Sequence, residues 1–476
     1  MHTPPLKIGL FAIGLDTYWD QFPGLQNRLE DNLLQIYTMI QEMHPHVINA
    51  GMVDTVDKAF GAGSLFRREE VDLIFLYVTT YALSATVLPV VQRVKVPVII
   101  LNLSPELSID YAAFNNLPNR TAMTGEWLAF CSPCPVPEIA NVFKRTGIPF
   151  QQVTGLLHSD PHSREEISEW IAAAGVAHTL FYNRMGCMGH YYSGMLDIYT
   201  DITLQAKYFG GHYEMLEVDE LAELRQEASE TDIEARAAVF YERFEMDAAC
   251  SLADVREAAL TAVALDKLVD RYSLGSLAYY YKGAANSANQ ATISSIILGT
   301  SLLTGRGIPV AGEYEIKNAQ AMKIMDSFDA GGSFTEYYAM DYSDDIIIMG
   351  HDGPGHVAIA EGRVRVKPLQ VYHGKVGAGL SVEMTVQHGP ITCLSVVETG
   401  KGELMLLVAE GASVAGPTLQ MGNTNSRYRF TIGARAFVQQ WNSHGPAHHC
   451  AVGKGHIASK IKKLGALLQM EVIVVG

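Results

Sequence analysis

The sequence predicts an α/β protein in three parts. Two doubly wound, parallel-sheet, Rossmann-like units span residues 1–172 and 173–325, and a mainly antiparallel, barrel-like β domain spans 326–476. Three observations carry this prediction. Strand-length apolar runs alternate with helically spaced apolar residues through about the first 110 residues. The alternation resumes near Phe150. Beyond Asp341 it gives way to short β runs divided by glycine-rich turns.

In chain order, "LKIGLFAIG" reads as a buried strand and "PGLQNRLEDNLLQIYTMIQEM" as an amphipathic helix. "HVINAGMV" is a second strand, followed by helix to about Arg68. "VDLIFLYVTT", "ALSATVLPVVQRV" and "VPVIILNLS" continue as strand, helix and strand. Such alternation implies βαβ crossovers and a parallel sheet covered on both faces. Ligands then sit beyond the carboxyl ends of strands, which puts Asp16, Thr79, Thr80 and Asn102 to Ser104 on the functional edge. "PFQQVTGLL" is a strand, "SREEISEWIAAAG" a helix, "AHTLFYNRMG" a strand and "LADVREAALTAVALDKLVDRY" a long helix. "SLAYYYKG" and "GIPVAGE" read as further strands of the second unit. "DIIIMGH", "HVAIAEG", "LSVEMTVQHG", "PITCLSVVETG" and "GELMLLVAEG" are the β runs of the last part, before a closing helix and strand.

Composition narrows the function. The chain has 476 residues, 48% hydrophobic and 18% charged, the balance of a folded globular protein. A net charge of −16, with no Lys/Arg block, argues against nucleic acid, because phosphate binding needs clustered positive charge. No run approaches eighteen consecutive apolar residues, so no membrane span is expected. The N-terminal segment lacks the basic region and cleavage pattern of a signal peptide, which predicts a cytoplasmic protein. Cys131 and Cys134 form a CxxC without the second pair of a zinc ribbon, and they read as free thiols. No GxGxxG opens a βα turn.

Five residues stand at changes of structure. Glu313 ends a strand in "VAGEYEIKNAQAM", and Glu336 lies in a glycine-flanked loop in "GGSFTEYYAMD". His351 follows "DIIIMG", and His448 and His449 fall in the Gly/Pro turn "SHGPAHHCAVG". Taken singly, each acid suits a solvated turn or the first turn of a helix. Two carboxylates and two imidazoles at element ends together suit a divalent cation of the Mn²⁺ class.

The stretch from Val310 to Pro354 resembles the metal-site segment of the L-arabinose isomerases. There an FAGEGDWK-like stretch is followed by GGTSFMEDY and a strand ending in histidine. "GPAHHC" resembles the family's GGAHHT, with residues 313, 336, 351 and 449 separated by 23, 15 and 98 positions. Weaker similarity reaches the start, where "FAIGLDTYW" resembles VIGSQHLYG and "PNRTAMTGEW" resembles NQTAHGGRE; Met185 falls at a methionine position of the family.

This resemblance implies an aldose–ketose isomerase with Mn²⁺, or Mg²⁺ or Co²⁺, held by Glu313, Glu336, His351 and His449. Glu313 and Glu336 would also carry the proton through an enediolate. Asp16, Arg120, Met123, Met185 and His448 would contact the sugar. Asp16, Arg120 and Met123 replace the family's Gln, Gln and His, and "DGPGH" replaces an MLEVCP-like run, so the resemblance keeps the metal set and alters the sugar pocket. A homo-oligomer, trimer-based or hexameric, in which a neighbouring subunit completes the active site, is also implied. A sugar-binding protein without catalysis and a metal-dependent sugar epimerase are the rival readings.

Overall fold

Ile8–Ile13, six buried apolar residues in a row, form β1 at the centre of a parallel sheet. Such a run has no polar face to offer water, so it must be covered on both sides. In this computed structural model, residues 4–284, 287–372 and 375–476 are described, with 371, 372, 375 and 376 as backbone only. The chain divides into two compact units, His2–His178 and Thr179–Gly476.

In the first unit, β2 (Val47–Val53), β3 (Leu73–Val78), β4 (Val98–Ser104) and β5 (Phe150–Leu156) join β1 in the order β2-β1-β3-β4-β5, all parallel. The helices Val56–Glu69, Ser84–Val94 and Val136–Thr146 supply Ala59, Phe66, Val87, Val90, Ile139 and Phe143 to the core on one side. The helix Leu25–Met43 buries Leu29, Leu33, Ile36 and Ile40 at three- and four-residue spacing.

The second unit opens with β6 (Arg184–Gly189) and β7 (His212–Leu216); β8 (Glu245–Met246) follows at a distance, then β9 (Ser276–Tyr280) and β10 (Val310–Ala311). Four of these form a second parallel sheet, β10-β9-β6-β7. The long helix Leu252–Tyr272 buries ten residues, eight of them in the apolar core of this unit.

The sheet-rich region that follows contains β11 (Ser333–Asp341), β12 (Ile346–His351), β13 (Arg365–Pro368), β14 (Val371–Tyr372), β15 (Lys375–Val376) and β16 (Leu380–Glu383). It continues with β17 (Gly389–Glu398), β18 (Leu404–Ser413), β19 (Thr424–Phe430), β20 (His449–Lys454) and β21 (Glu471–Val475). A seven-stranded mixed sheet runs β17-β20-β11-β12-β19-β18-β21. Because β17 also pairs with β18, six antiparallel strands form a closed circuit, and β21 adds parallel to β18 outside it. Closure removes exposed strand edges. The small ladders β16-β13-β8 and β14-β15 complete the pairing.

Three local expectations change. The helix Pro161–Phe181 runs through "AHTLF", where a strand was expected, because an apolar run without alternation suits either element. Glu336 lies within β11 and not in a loop: Ser333, Phe334 and Thr335 are buried between β12 and β20. "HVAIA" is a short 3-10 turn over Val357–Ile359 with one isolated bridge, Ala360 to Val386.

Candidate metal centre

Glu313 owes its position to an abrupt exit from β10. Gly312 follows the strand, and a Cβ there would lie 3.3 Å from the Phe334 ring. Glu313 and Tyr314 then adopt left-handed backbone, with φ of 57° and 63°, before the helix Ile316–Ser327. Left-handed conformation costs a non-glycine residue roughly 1–2 kcal/mol. The Tyr314 N–H donates to the Tyr279 carbonyl at 2.9 Å, which ties this strained corner to the end of β9.

Strand register supplies the other groups. Glu336 on β11 stands opposite Gly350 on one side and His449, the first residue of β20, on the other. His351 ends β12 and pairs with Thr424 of β19. Phe334 is fully buried, its ring centroid 4.3 Å from those of both His351 and His449, and forms an apolar floor beneath the two imidazoles. The two histidine rings are 5.0 Å apart.

Two overlapping triads have ligand atoms within 4.8 Å of one another: Glu336, His351 and His449, and Glu313, His448 and His449. The cluster could hold a metal ion. The side chains of Glu313, Glu336 and His448 are partly open at 18, 30 and 34%, whereas that of His449 is closed to solvent. His449 Nε2 is buried without a hydrogen-bond partner and sits 3.5 Å from Glu313 Oε2. A buried imidazole nitrogen lacking a donor or acceptor, beside a carboxylate, fits a cation between them.

The opposite ring nitrogen explains how His449 is held. Nδ1 makes a very short contact with Oε2 of Glu315, a carboxyl group buried as deeply as the imidazole. Burial pushes Glu315 up to about 8, against the opposing pull of Lys317 and His448. Burial likewise drives His449 well below the usual histidine value, reinforced by the charge of His448. With Nδ1 held against Glu315, Nε2 is the nitrogen turned toward Glu313. A carboxylate behind a ligating histidine fixes its ring orientation and raises its basicity.

Other expected contacts divide between the units. His448 joins the cluster: its Nε2 is 3.8 Å from Glu313 Oε2 and 4.0 Å from Glu336 Oε2. Met185 does not. It is buried near the start of β6, four residues before Gly189 ends the strand, about 13 Å along it at 3.3 Å per residue. Asp16, Arg120 and Met123 belong to the first unit. Asp16 accepts from the Thr17 N–H at 2.8 Å, and Arg120 opens the helix Arg120–Ala129 in which Met123 lies. Thr79 and Thr80 are structural, each hydroxyl donating to a backbone carbonyl, Ile13 at 2.6 Å and Leu128 at 2.7 Å. Cys131 is buried, which with its neighbour Cys134 pushes its thiol up to about 11, so it is a poor nucleophile; Cys134 is exposed.

Sequence reasoning missed Glu315, Phe334 and Asp197, the partner of His448. Glu315 carried a usable signal, since it is the second acid in "GEYEIK" and lies at the boundary of the following helix. No matching family model and no matching curated protein were found for this chain.

Proposed function

We propose that this protein is a divalent-metal-dependent aldose–ketose isomerase that interconverts a small sugar, a pentose or related aldose, with its ketose. The observation that carries the reading is the pair of triads, Glu336–His351–His449 and Glu313–His448–His449, that four separate segments bring together around the shared His449. The donor set of two carboxylates and two imidazoles favours an ion of the Mn²⁺ class over a thiolate-seeking metal or Ca²⁺.

When bound, such an ion supplies positive charge that stabilises the oxyanion developing on the sugar. The residues do the rest. Glu313 and Glu336 are the carboxylates available to take the proton beside the carbonyl and return it to the neighbouring carbon. Phe334 and Glu315 keep His351 and His449 in place beneath them. His448 faces both carboxylates from the more open side.

A panel of aldoses incubated with full-length protein, with and without Mn²⁺ after chelation, tests the reading. Ketose formation that needs the ion is the expected result. An epimeric aldose as the only product would replace the isomerase reading with an epimerase. Sugar binding unaffected by chelation and without turnover would replace it with a binding protein. The same reading carries a cytoplasmic homo-oligomer, to be checked by light scattering.

A further inference from the structure

Asp197 has no part in the chemistry above, yet it makes the shortest contact to His448. It lies in the 3-10 turn Leu196–Ile198, 251 residues from its partner. One oxygen, Oδ2, accepts the His448 backbone N–H at 2.9 Å and lies 2.6 Å from Nδ1 of the ring. A carboxylate can only accept at that distance, so the proton sits on Nδ1. Two bonds from one oxygen, to the backbone and the ring, fix both the side-chain torsion and the ring plane.

Asp197 is itself anchored. Lys317 Nζ, from the buried face of the helix behind Glu313, donates to its carbonyl oxygen. Three residues on, the Thr200 hydroxyl donates to Glu398 at 2.6 Å. The ring edge that remains, Nε2, is directed at Glu313 and Glu336 from 3.8 and 4.0 Å. Those separations are too long for direct hydrogen bonds, which leaves Nε2 available to a group placed among the three side chains.

We propose that Asp197 is a positioning residue: it holds His448 with Nδ1 protonated and Nε2 turned toward a substrate hydroxyl lying over the two glutamates. The identity of that hydroxyl rests on the isomerase reading; the positioning does not. Isomerisation moves one proton between carbons and another between the two adjacent oxygens, and the glutamates account for the first. His448 Nε2 is the neighbouring nitrogen that can hydrogen-bond to one of those oxygens. An exposed ion pair with no such role contributes little beyond a fraction of a kcal/mol of stability.

The test compares Asp197→Ala, Asp197→Asn, His448→Ala and the double variant Asp197→Ala/His448→Ala in the full-length protein. With ¹⁵N-histidine and Mg²⁺, the wild type should show His448 protonated at Nδ1. Asp197→Ala should lose that fixed tautomer, and Asp197→Asn, which keeps an acceptor oxygen, should retain much of it. On the best aldose, Asp197→Ala should lower kcat/KM about 10- to 100-fold with Mn²⁺ affinity within a few-fold of wild type. Asp197→Asn should recover part of the loss. Adding Asp197→Ala to His448→Ala should cost nothing more, because a residue acting through another shows full coupling. An unchanged tautomer in Asp197→Ala, or additive losses in the double variant, would overturn the proposal. If wild type turns over no aldose, the isomerase reading fails and the tautomer measurement alone decides the positioning role.

Discussion

Glu336 and His449 face each other directly across the β11–β20 ladder. This one register pair joins a carboxylate to an imidazole that the chain supplies more than a hundred residues later. Side chains alternate between sheet faces, so a one-residue slip of either strand would turn its group to the other side and dismantle the cluster. The closed strand circuit resists that slip, because a shift would have to pass through every ladder in turn.

The first prediction concerns the ion. Chelation should lower the melting temperature and added Mn²⁺ should raise it in a concentration-dependent way, since a ligand confined to the folded state stabilises it. Differential scanning calorimetry on the dialysed protein checks this. No shift at millimolar Mn²⁺ would remove the metal centre.

Glu315 should matter to the ion without touching it. Glu315→Gln should reduce Mn²⁺ affinity about 10- to 100-fold, the usual effect of losing the carboxylate behind a ligating histidine. Glu315→Ala should also destabilise the fold by about 1–3 kcal/mol, because it leaves a buried nitrogen of His449 without its partner. Calorimetric titration and denaturant unfolding separate the two effects.

Phe334→Ala should cost about 3–5 kcal/mol as a cavity opens under both imidazoles. Phe334→Leu fills more of that space and should cost less. Metal affinity should fall in the same order as stability. Equal affinity in all three proteins would mean that the phenyl floor does not orient His351 and His449.

Solvent isotope incorporation tests the role of the acids. Turnover in D₂O should place deuterium at the carbon that receives the proton, since a carboxylic acid exchanges with water unless the site is tightly closed. Glu336→Gln should lose most of the rate with metal occupancy measured alongside. Full retention of a C2 deuterium at C1, with the glutamine variant still active, would reduce the glutamates to ligands.

His178 gives a pH-dependent prediction in the first unit. Its Nδ1 is 3.2 Å from Asp72 Oδ1 and its Nε2 is 2.7 Å from the Pro4 carbonyl, so acceptors face both nitrogens and favour the imidazolium. The Asp72 hydrogen bond raises its pKa above the ordinary value, against the opposing effect of burial. The folded state therefore holds the proton more tightly than the unfolded chain. Its stabilisation is fully present below about pH 6.5 and is lost as pH rises through the raised value. His178→Gln should accordingly destabilise the protein more at pH 5.5 than at pH 9. Urea titrations at the two pH values check the sign; an effect equal at both, or larger at pH 9, would contradict it.

Much of the fold was legible because local rules and tertiary packing agree. The apolar runs Ile8–Ile13 and Leu73–Val78 can be satisfied only inside a covered parallel sheet, and the helix Leu25–Met43 shows its buried face in its own spacing. The acids and histidines of the cluster were likewise marked by residue type and position, since His351 ends a strand and Glu313 comes two residues after one. Glu336 was misread as a loop residue because the glycines before it hide a strand whose pairing partners are distant in sequence. Met185 was drawn into the site by its place in a motif, and the register of β6 sets it well back from the sheet edge.

By itself, then, the sequence determined the alternation of elements and the chemical character of the site, because hydrophobic period and side-chain chemistry are local properties. Only the tertiary structure decided which groups meet. Glu315 behind His449, Phe334 beneath two imidazoles and Asp197 on His448 are contacts between segments brought together by ladder register and chain reversal, and no local pattern encodes such distances.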